Sequence, residues 1–324
     1  MKNLCLNLFM VFFMCTLFPL FVILHIPNDF KNFEEDLPSV NIPSGNVPAE
    51  TSNYKISVLL NDSHIAQMEL DDYVTGVLFG EMPAEFQEEA LKAQAVAVRT
   101  FAMKNKMSGN KHQNGAVCTD STCCQAYLSE SEYRARGGTD ASIAKIRECV
   151  QSTSQQVITY KGTLIEATYF SSSGGMTEAA VQVWGSEVPY LQSVPSPGEA
   201  QTKGRVQTVT FPMKEFKRIL NISEGPIIVE SVTYTDGKGV DDIWISGKKY
   251  SGTDVRKLLG LRSTIFRIST VGDTVAVTTK GYGHRVGLSQ YGAQAMAESG
   301  STYGDILSHY YPGTVISYLT DIDK

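Results

Sequence analysis

Between Leu78 and Ala102 the chain reads "LFGEMPAEFQEEALKAQAVAVRTFA", and its two halves follow different rules. After Pro83, the residues Phe86, Ala90, Ala93, Ala97 and Phe101 recur at three- and four-residue steps, the spacing that gathers side chains on one helical face. Alanines on such a stripe permit close packing, so a buried helix is expected here. Pro83 is read as its opening residue, where a missing N–H costs nothing. Ahead of it, the Gly80-Glu81-Met82-Pro83 corner sets one carboxylate on constrained backbone, apart from Glu85, Glu88 and Glu89. Glu85, Glu88, Lys92 and Arg99 share a second face. A solvated, salt-bridged surface is the expectation for the two acids, while Lys92 and Arg99 are candidates to line a cleft.

Upstream, "YKISVLL" from Tyr54 reads as a strand, and Asp71 to Phe79 as a short helix capped by Asp71 or Asp72. Downstream, "QVITYKG", "TLIEATYFS", "RVQTVTFP", "PIIVESVTYTDGKGV" and "DIWISGKKYSG" cluster β-branched and aromatic residues around glycine turns. "FPMKEFKRIL" and "SGTDVRKLLG" read as short helices. "FRISTVGDTVAVTTKGYG" reads as a hairpin, and Leu288 to Ser299 as a helix closed by Gly300. Helix-rich and strand-rich blocks without βαβ alternation predict an α+β fold, a helix-rich part packed with a β-rich part.

The N-terminal stretch differs in kind. Leu4 to Ile26 contains no Asp, Glu, Lys or Arg and is long enough to cross a bilayer, which takes roughly 20 apolar residues. Because Phe21 to Leu24 run on without a small-residue cleavage site, an uncleaved anchor is expected rather than a removed signal. The division is then 1–27 cytoplasmic tip and transmembrane anchor, 28–53 flexible linker and 54–319 an extracytoplasmic domain. A net charge of −6 over 324 residues argues against a broad grip on nucleic acid, which needs clustered Lys and Arg.

In "HQNGAVCTDSTCC", His112, Cys118, Cys123 and Cys124 place one nitrogen and three sulfur donors in one loop. This supply suits a closed, structural tetrahedral Zn2+ site. The rival is a disulfide from Cys118 to Cys123 or Cys124, with Cys149 as a further partner. No organic cofactor is implied.

Three blocks stand in order: "GEMPAEFQEEALKAQAVAVRTFA"; then "SSSGGMTE" with "VWGSEVPYLQSV"; then "SGTDVRKLLGLRSTIFRI" with "GYGHRVGLSQYGAQAMAESGSTYGDILSHYYPGT". Together they resemble the family of stage II sporulation protein D and the amidase enhancers, over nearly everything from Tyr54 onward. The resemblance implies a lytic transglycosylase that cleaves peptide-stripped peptidoglycan strands in forespore engulfment. It implies work beside a cell-wall amidase and a polytopic membrane protein, from a single-pass anchor in the mother-cell membrane with the domain facing the forespore. The Glu of the Glu-Met-Pro corner, here Glu81, would be the catalytic acid. One departure shows: where the family has Gly-His-Gly-Val-Gly-Met, this chain has "GHRVGL", with Arg285 at a glycine position and Leu288 at a methionine position.

The chemistry asks little of the protein's functional groups. Cleaving a glycosidic bond needs a proton on the leaving oxygen, supplied by a carboxylic acid whose pKa is raised toward the working pH. A lytic transglycosylase manages with one such group, because the C6 hydroxyl of muramic acid attacks its own anomeric carbon; hydrolases use a carboxylate pair. Glu178 is the candidate second carboxylate if the enzyme were a hydrolase. Phe79, Met82 and Pro83 would desolvate Glu81, whereas a helix starting at Pro83 would stabilise its anion. Ser172, Ser173 and Thr177, on a glycine-hinged loop, are candidates to approach sugar hydroxyls. Lys92 and Arg99 would meet an acidic sugar. Tyr169, Trp184, Tyr190, Tyr282 and Tyr291 are candidates for stacking. His284 would hydrogen-bond substrate or fix its turn, and Gln290 and Tyr291 would pin the last block to the catalytic helix. A second reading makes the protein a non-catalytic, glycan-binding activator of an amidase.

Overall fold

The computed structural model describes residues 54–60, 64–109, 112, 117–199, 206–223 and 225–322. The expected anchor and linker lie outside these residues; among the described ones, no helix is long and apolar enough to cross a membrane.

Strand β1 (Lys55–Leu60) pairs with β2 (His64–Glu69) as an antiparallel hairpin, and helix α1 (Leu70–Glu81) follows at once. Next comes α2 (Glu88–Ser108), the axle of the main body: Ala90, Leu91 and every residue from 93 to 100 are buried. It is covered on all sides, so no solvated face exists along its middle. The short β3 (Val117–Cys118) adds to β1 in parallel, and α3 (Glu130–Ala135) and α4 (Asp140–Ser152) follow. Both carry reciprocal capping boxes, Ser129 with Glu132 and Thr139 with Ser142, which satisfy N–H groups that a helix start leaves open. Strands β4 (Gln156–Tyr160), β5 (Thr163–Leu164) and β6 (Tyr169–Phe170) lead to α5 (Ala180–Trp184).

Residues 206–280 then form a lobe with its own core, built around Phe216, Ile243, Ile245, Val255, Phe266, Val275 and Val277. It contains β7 (Val206–Pro212), α6 (Met213–Leu220), β8 (Val229–Tyr234), β9 (Val240–Ile245), β10 (Lys248–Ser251), α7 (Gly252–Leu258), β11 (Ile265–Val271) and β12 (Thr274–Lys280). Its strands make two three-stranded sheets, β10-β9-β8 and β11-β12-β7. The chain returns to the main body as β13 (Leu288–Ser289), α8 (Gln290–Glu298), α9 (Tyr303–Tyr310) and β14 (Val315–Tyr318), and β14 closes on β4. The mixed α and β architecture expected from the sequence is present, and the expected hairpin is β11–β12.

Three boundaries differ from expectation. Helix α1 starts at Leu70, so Asp71 and Asp72 lie inside its first turn and neither caps it; the N-cap residue is Glu69, which makes no side-chain cap bond. Pro83 does not open α2; it stops α1. A residue before proline is driven out of the helical region, and Met82 is extended at φ −123°, ψ 134°. A turn follows, α2 starts only at Glu88, and the Gln87 N–H donates to Gln294 Oε1 at 2.7 Å. Helix α8 likewise starts at Gln290 rather than Leu288, because Leu288 and Ser289 pair in parallel with Tyr169 and Phe170. The Ser289 hydroxyl then accepts from Gly292 N–H.

Candidate active site

Glu81 is the last residue of α1 and points into a cleft of about 490 Å³. Its Oε1 accepts the Ala126 backbone N–H at 2.9 Å, and its Oε2 accepts Gln290 Nε2 at 3.3 Å. The first bond depends on two glycines in α1. A Cβ at Gly76 would lie 2.2 Å from the Tyr127 ring, and one at Gly80 would lie 3.1 Å from the Ala126 carbonyl carbon. With hydrogen at both positions, residues 126–128 lie flat on the helix, and Leu128 N–H reaches Gly76 O. Burial raises the Glu81 pKa above the ordinary carboxylate value, and the bonds from Ala126 and Gln290 only partly oppose it. Glu81 sits at a helix C-terminus, where the dipole disfavours an anion. The expected stabilisation by a helix N-terminus is therefore reversed.

The cleft is lined by Phe101, by Ser121 and the Cys124 to Ala126 segment, by 167–171, by Tyr282, Gly283 and His284, and by Gln290. Glu81 is the one carboxylate among these described residues. Gln125 is held between two phenols: it accepts from Tyr73 and donates to the Tyr169 oxygen at 2.9 Å. Neither Gln125 nor Ala126 carries a motif, and only their position just after the cysteine pair marks them in the sequence. Burial holds the Tyr169 phenol well above its usual pKa, so it stays protonated. His284 is pushed down to about 4 by burial and by the nearby Arg256 charge, so its ring is neutral. Its Nδ1 accepts Val286 N–H, and the ring also bonds the Tyr169 backbone. Between the turn it fixes and its contacts with Phe170 and Trp184, His284 serves as wall.

Several expected site residues lie elsewhere. Arg99 is fully buried, with its guanidinium on Asp71 at 2.9 Å and on the Val150 and Gln156 carbonyls; it clamps α2 to α1 and α4 and meets no ligand. Lys92 pairs with Glu89 at 2.8 Å and does not line the cleft. Ser172 and Ser173 donate to the buried Glu199 carboxylate at 2.6 and 2.8 Å. Ser196, Ser289 and Gly174 N–H complete that cage. Thr177 is buried and donates to the Gln192 and Val194 carbonyls. Trp184, Tyr190 and Tyr291 do not line the cleft either: Trp184 packs on His284 at 5.5 Å, Tyr291 edges onto Phe86 at 5.1 Å, and Tyr190 packs on Tyr160. Glu178 is no second acid, since it is buried against Arg285 at 2.7 Å. Arg285 itself sits at φ 67°, in the left-handed region that favours glycine.

The donor atoms of His112, Cys118, Cys123 and Cys124 all lie within 4.8 Å of one another. No disulfide joins the cysteines of this group. His112 Nε2 is 3.3 Å from Cys124 Sγ and 3.5 Å from Cys123 Sγ. A tetrahedral zinc with its usual bond lengths has N···S edges of about 3.5 Å, so the donor set fits one Zn2+ with every position filled by protein. Cys124 also lines the cleft and precedes the Ala126 amide on Glu81 by two residues, so this loop is part of the site's wall.

The family model described as Stage II sporulation protein matches residues 61–160. The chain is 40% identical over 273 residues to stage II sporulation protein D of Bacillus amyloliquefaciens, covering 82% of this chain and 79% of the relative. It is 41% identical over 259 residues to the Bacillus subtilis protein of that name, covering 78% and 76%. It is 30% identical over 300 residues to the amidase enhancer of Bacillus subtilis, covering 75% of this chain and 40% of that longer protein. With two relatives matched at this identity across most of both chains, the protein belongs to the stage II sporulation protein D family.

Proposed function

We propose that the protein is a lytic transglycosylase of peptidoglycan glycan strands. In this reading it is anchored by residues 1–27, tethered by 28–53, and acts from an extracytoplasmic domain, 54–319, during forespore engulfment. The observation that carries the reading is a cleft with a single carboxylate, which is desolvated and tied at both oxygens. Protonated Glu81 gives its proton to the leaving glycosidic oxygen as positive charge grows at the anomeric carbon. The resulting carboxylate then takes the proton of the muramic acid C6 hydroxyl as that oxygen bonds to the same carbon. The products are a new free C4 hydroxyl and a 1,6-anhydromuramic end, and one group serves twice. The Ala126 amide and Gln290 hold the carboxylate in place for both transfers. His112, Cys118, Cys123 and Cys124 would hold a structural Zn2+ that fixes the loop bearing Ala126.

Mass spectrometry of peptide-free glycan strands after incubation with the full chain tests this. Ends in 1,6-anhydromuramic acid are expected from the native protein and none from Glu81→Ala; ordinary reducing ends would overturn it. The match to an amidase enhancer supports a second reading, a glycan-binding activator of an amidase. That reading requires Glu81→Ala to keep glycan binding and amidase stimulation in full, with no cleavage by either protein.

A further inference from the structure

Among its described lining residues the cleft holds one acid, Glu81, and no Lys or Arg. Whatever it binds beside that acid is held by neutral groups, and two of these form a chain with a direction. The Tyr73 phenol is fully buried and donates to Gln125 Oε1 at 3.0 Å. Gln125, also buried, donates through Nε2 to the Tyr169 oxygen at 2.9 Å. Burial sets this order. A phenol in the core has to place its proton on a protein acceptor, and turning the Gln125 amide about would strand the proton of Tyr73. Tyr169 lines the cleft and is partly exposed. Since its oxygen receives Gln125, its own proton is not used within the chain, and among the described residues no group accepts it. Burial keeps that proton on the phenol.

Consecutive residues place this donor and the acid: Gln125 holds the phenol by its side chain, and Ala126 holds Glu81 by its N–H at 2.9 Å. Both open on the same cleft, whose wall between polar groups is apolar at Phe101, Ala126, Ala167 and Phe170. A single O–H donor beside an apolar wall matches a carbonyl oxygen that carries a methyl group. A sugar hydroxyl, which gives and takes, asks for a donor and an acceptor together. In an N-acetylated hexosamine the acetamido group at C2 lies one carbon from the anomeric centre that Glu81 serves. We propose that the Tyr169 hydroxyl donates to the 2-acetamido carbonyl of the hexosamine whose glycosidic bond meets Glu81, with Gln125 as the residue that positions it. The inference rests on the cleft being a glycan site. It gives Tyr169 a hydrogen bond to make rather than a ring to stack, and it makes N-acylation of that sugar a requirement of the cleft.

The test is a cycle between one side chain and one substrate group. Peptide-free glycan strands are compared with the same strands carrying N-trifluoroacetyl in place of N-acetyl, which stays neutral and similar in shape but is a poorer acceptor. Cleavage is followed with the full chain, and binding by calorimetry with the full chain carrying Glu81→Gln, each with and without Tyr169→Phe. Leaving a buried carbonyl without its donor costs about tenfold in affinity. Tyr169→Phe is therefore expected to lower binding and kcat/KM about tenfold on N-acetyl strands and less than about twofold on trifluoroacetyl strands. Gln125→Leu, which keeps the phenol but releases it, should show a smaller loss with the same selectivity. Equal losses on both strands would make Tyr169 a packing residue and overturn the inference. So would unchanged affinity for N-acetyl strands in a Tyr169→Phe chain with native circular dichroism. No cleavage by the native chain, with the binding cycle as expected, would remove the transglycosylase reading and leave the acetamido site standing; no binding of either strand would overturn both.

Discussion

Replacing Glu178 by alanine should cost the protein more than any surface change. The Glu178 and Arg285 side chains are 3% and 0% exposed and meet at 2.7 Å. Thr235 also donates to the carboxylate, and Arg285 reaches the Gly237 carbonyl and Thr264 hydroxyl. Burial pushes the Arg285 guanidinium down to about 10, and Glu178 is the main influence pulling it back. Breaking a buried pair from one side leaves a bare charge, at about 3–5 kcal/mol. At roughly 2–3 °C per kcal/mol for a domain of this size, the melting temperature should fall by about 6–15 °C. Arg285→Gly acts differently: it relieves a left-handed residue, worth about 1–2 kcal/mol, but strands Glu178. The double variant removes both charges and the backbone strain, so it should melt above Glu178→Ala despite carrying one more truncation. Thermal melts of the three variants decide the matter. A drop below about 2 °C for Glu178→Ala, or a double variant no better than it, would refute the account of this pair as mutually compensating charges.

Three further outcomes are expected. Because the folded pKa of Glu81 is raised, its protonation contributes stability that is present below the ordinary value of 4.5 and lost as pH rises through the folded value. Glu81→Gln should therefore match the native protein in denaturant at low pH and exceed it near neutrality, and a constant or reversed gap would contradict the burial of that acid. Dialysis against a chelator should release one zinc per chain and lower the melting temperature, and Cys123→Ser should bind none; full stability in the chelated protein would remove the structural role. Gly76→Ala drives a methyl into Tyr127 and should cost about 1–3 kcal/mol by overpacking, with the 126–128 segment pushed off α1; amide exchange at Ala126 and Leu128 would then quicken, and unchanged protection would count against the close approach described.

Local signals carried much of this architecture. The alanine stripe, the β11–β12 hairpin and the cluster of one histidine and three cysteines are all readable from local spacing. Glu81 was legible as a carboxylate on a constrained corner. Its direction of titration was not, because it hinges on whether Pro83 begins one helix or ends another. Apart from Lys92, whose partner Glu89 is three residues away, and the Pro83 boundary, what failed to show was a partner distant in sequence. Ser172, Ser173 and Thr177 look like a sugar-facing loop until Glu199 and the Val194 carbonyl are placed beside them. Arg99 looks like a ligand grip until Asp71, 28 residues away, takes its charge. Arg285 looks like a defect in a glycine motif until Glu178, 107 residues away, accounts for it. Polar residues of opposite character satisfy one another wherever the chain brings them together, and single-sequence spacing does not encode that meeting.

The lobe of residues 206–280 begins and ends on one rung: Val206 and Lys280 are directly opposed in the sheet formed by β7 and β12. Opposed residues in an antiparallel pair stand about 4.5–5.5 Å apart, the span of a tight turn. The main body thus meets its own insertion at a closed doorway, and a short loop joining the two flanks would leave α1, α2 and Glu81 in place. Glu81 and both of its hydrogen-bond donors, Ala126 and Gln290, lie on the main body's side of that rung, so the lobe is free to change in length without moving a donor to that carboxylate.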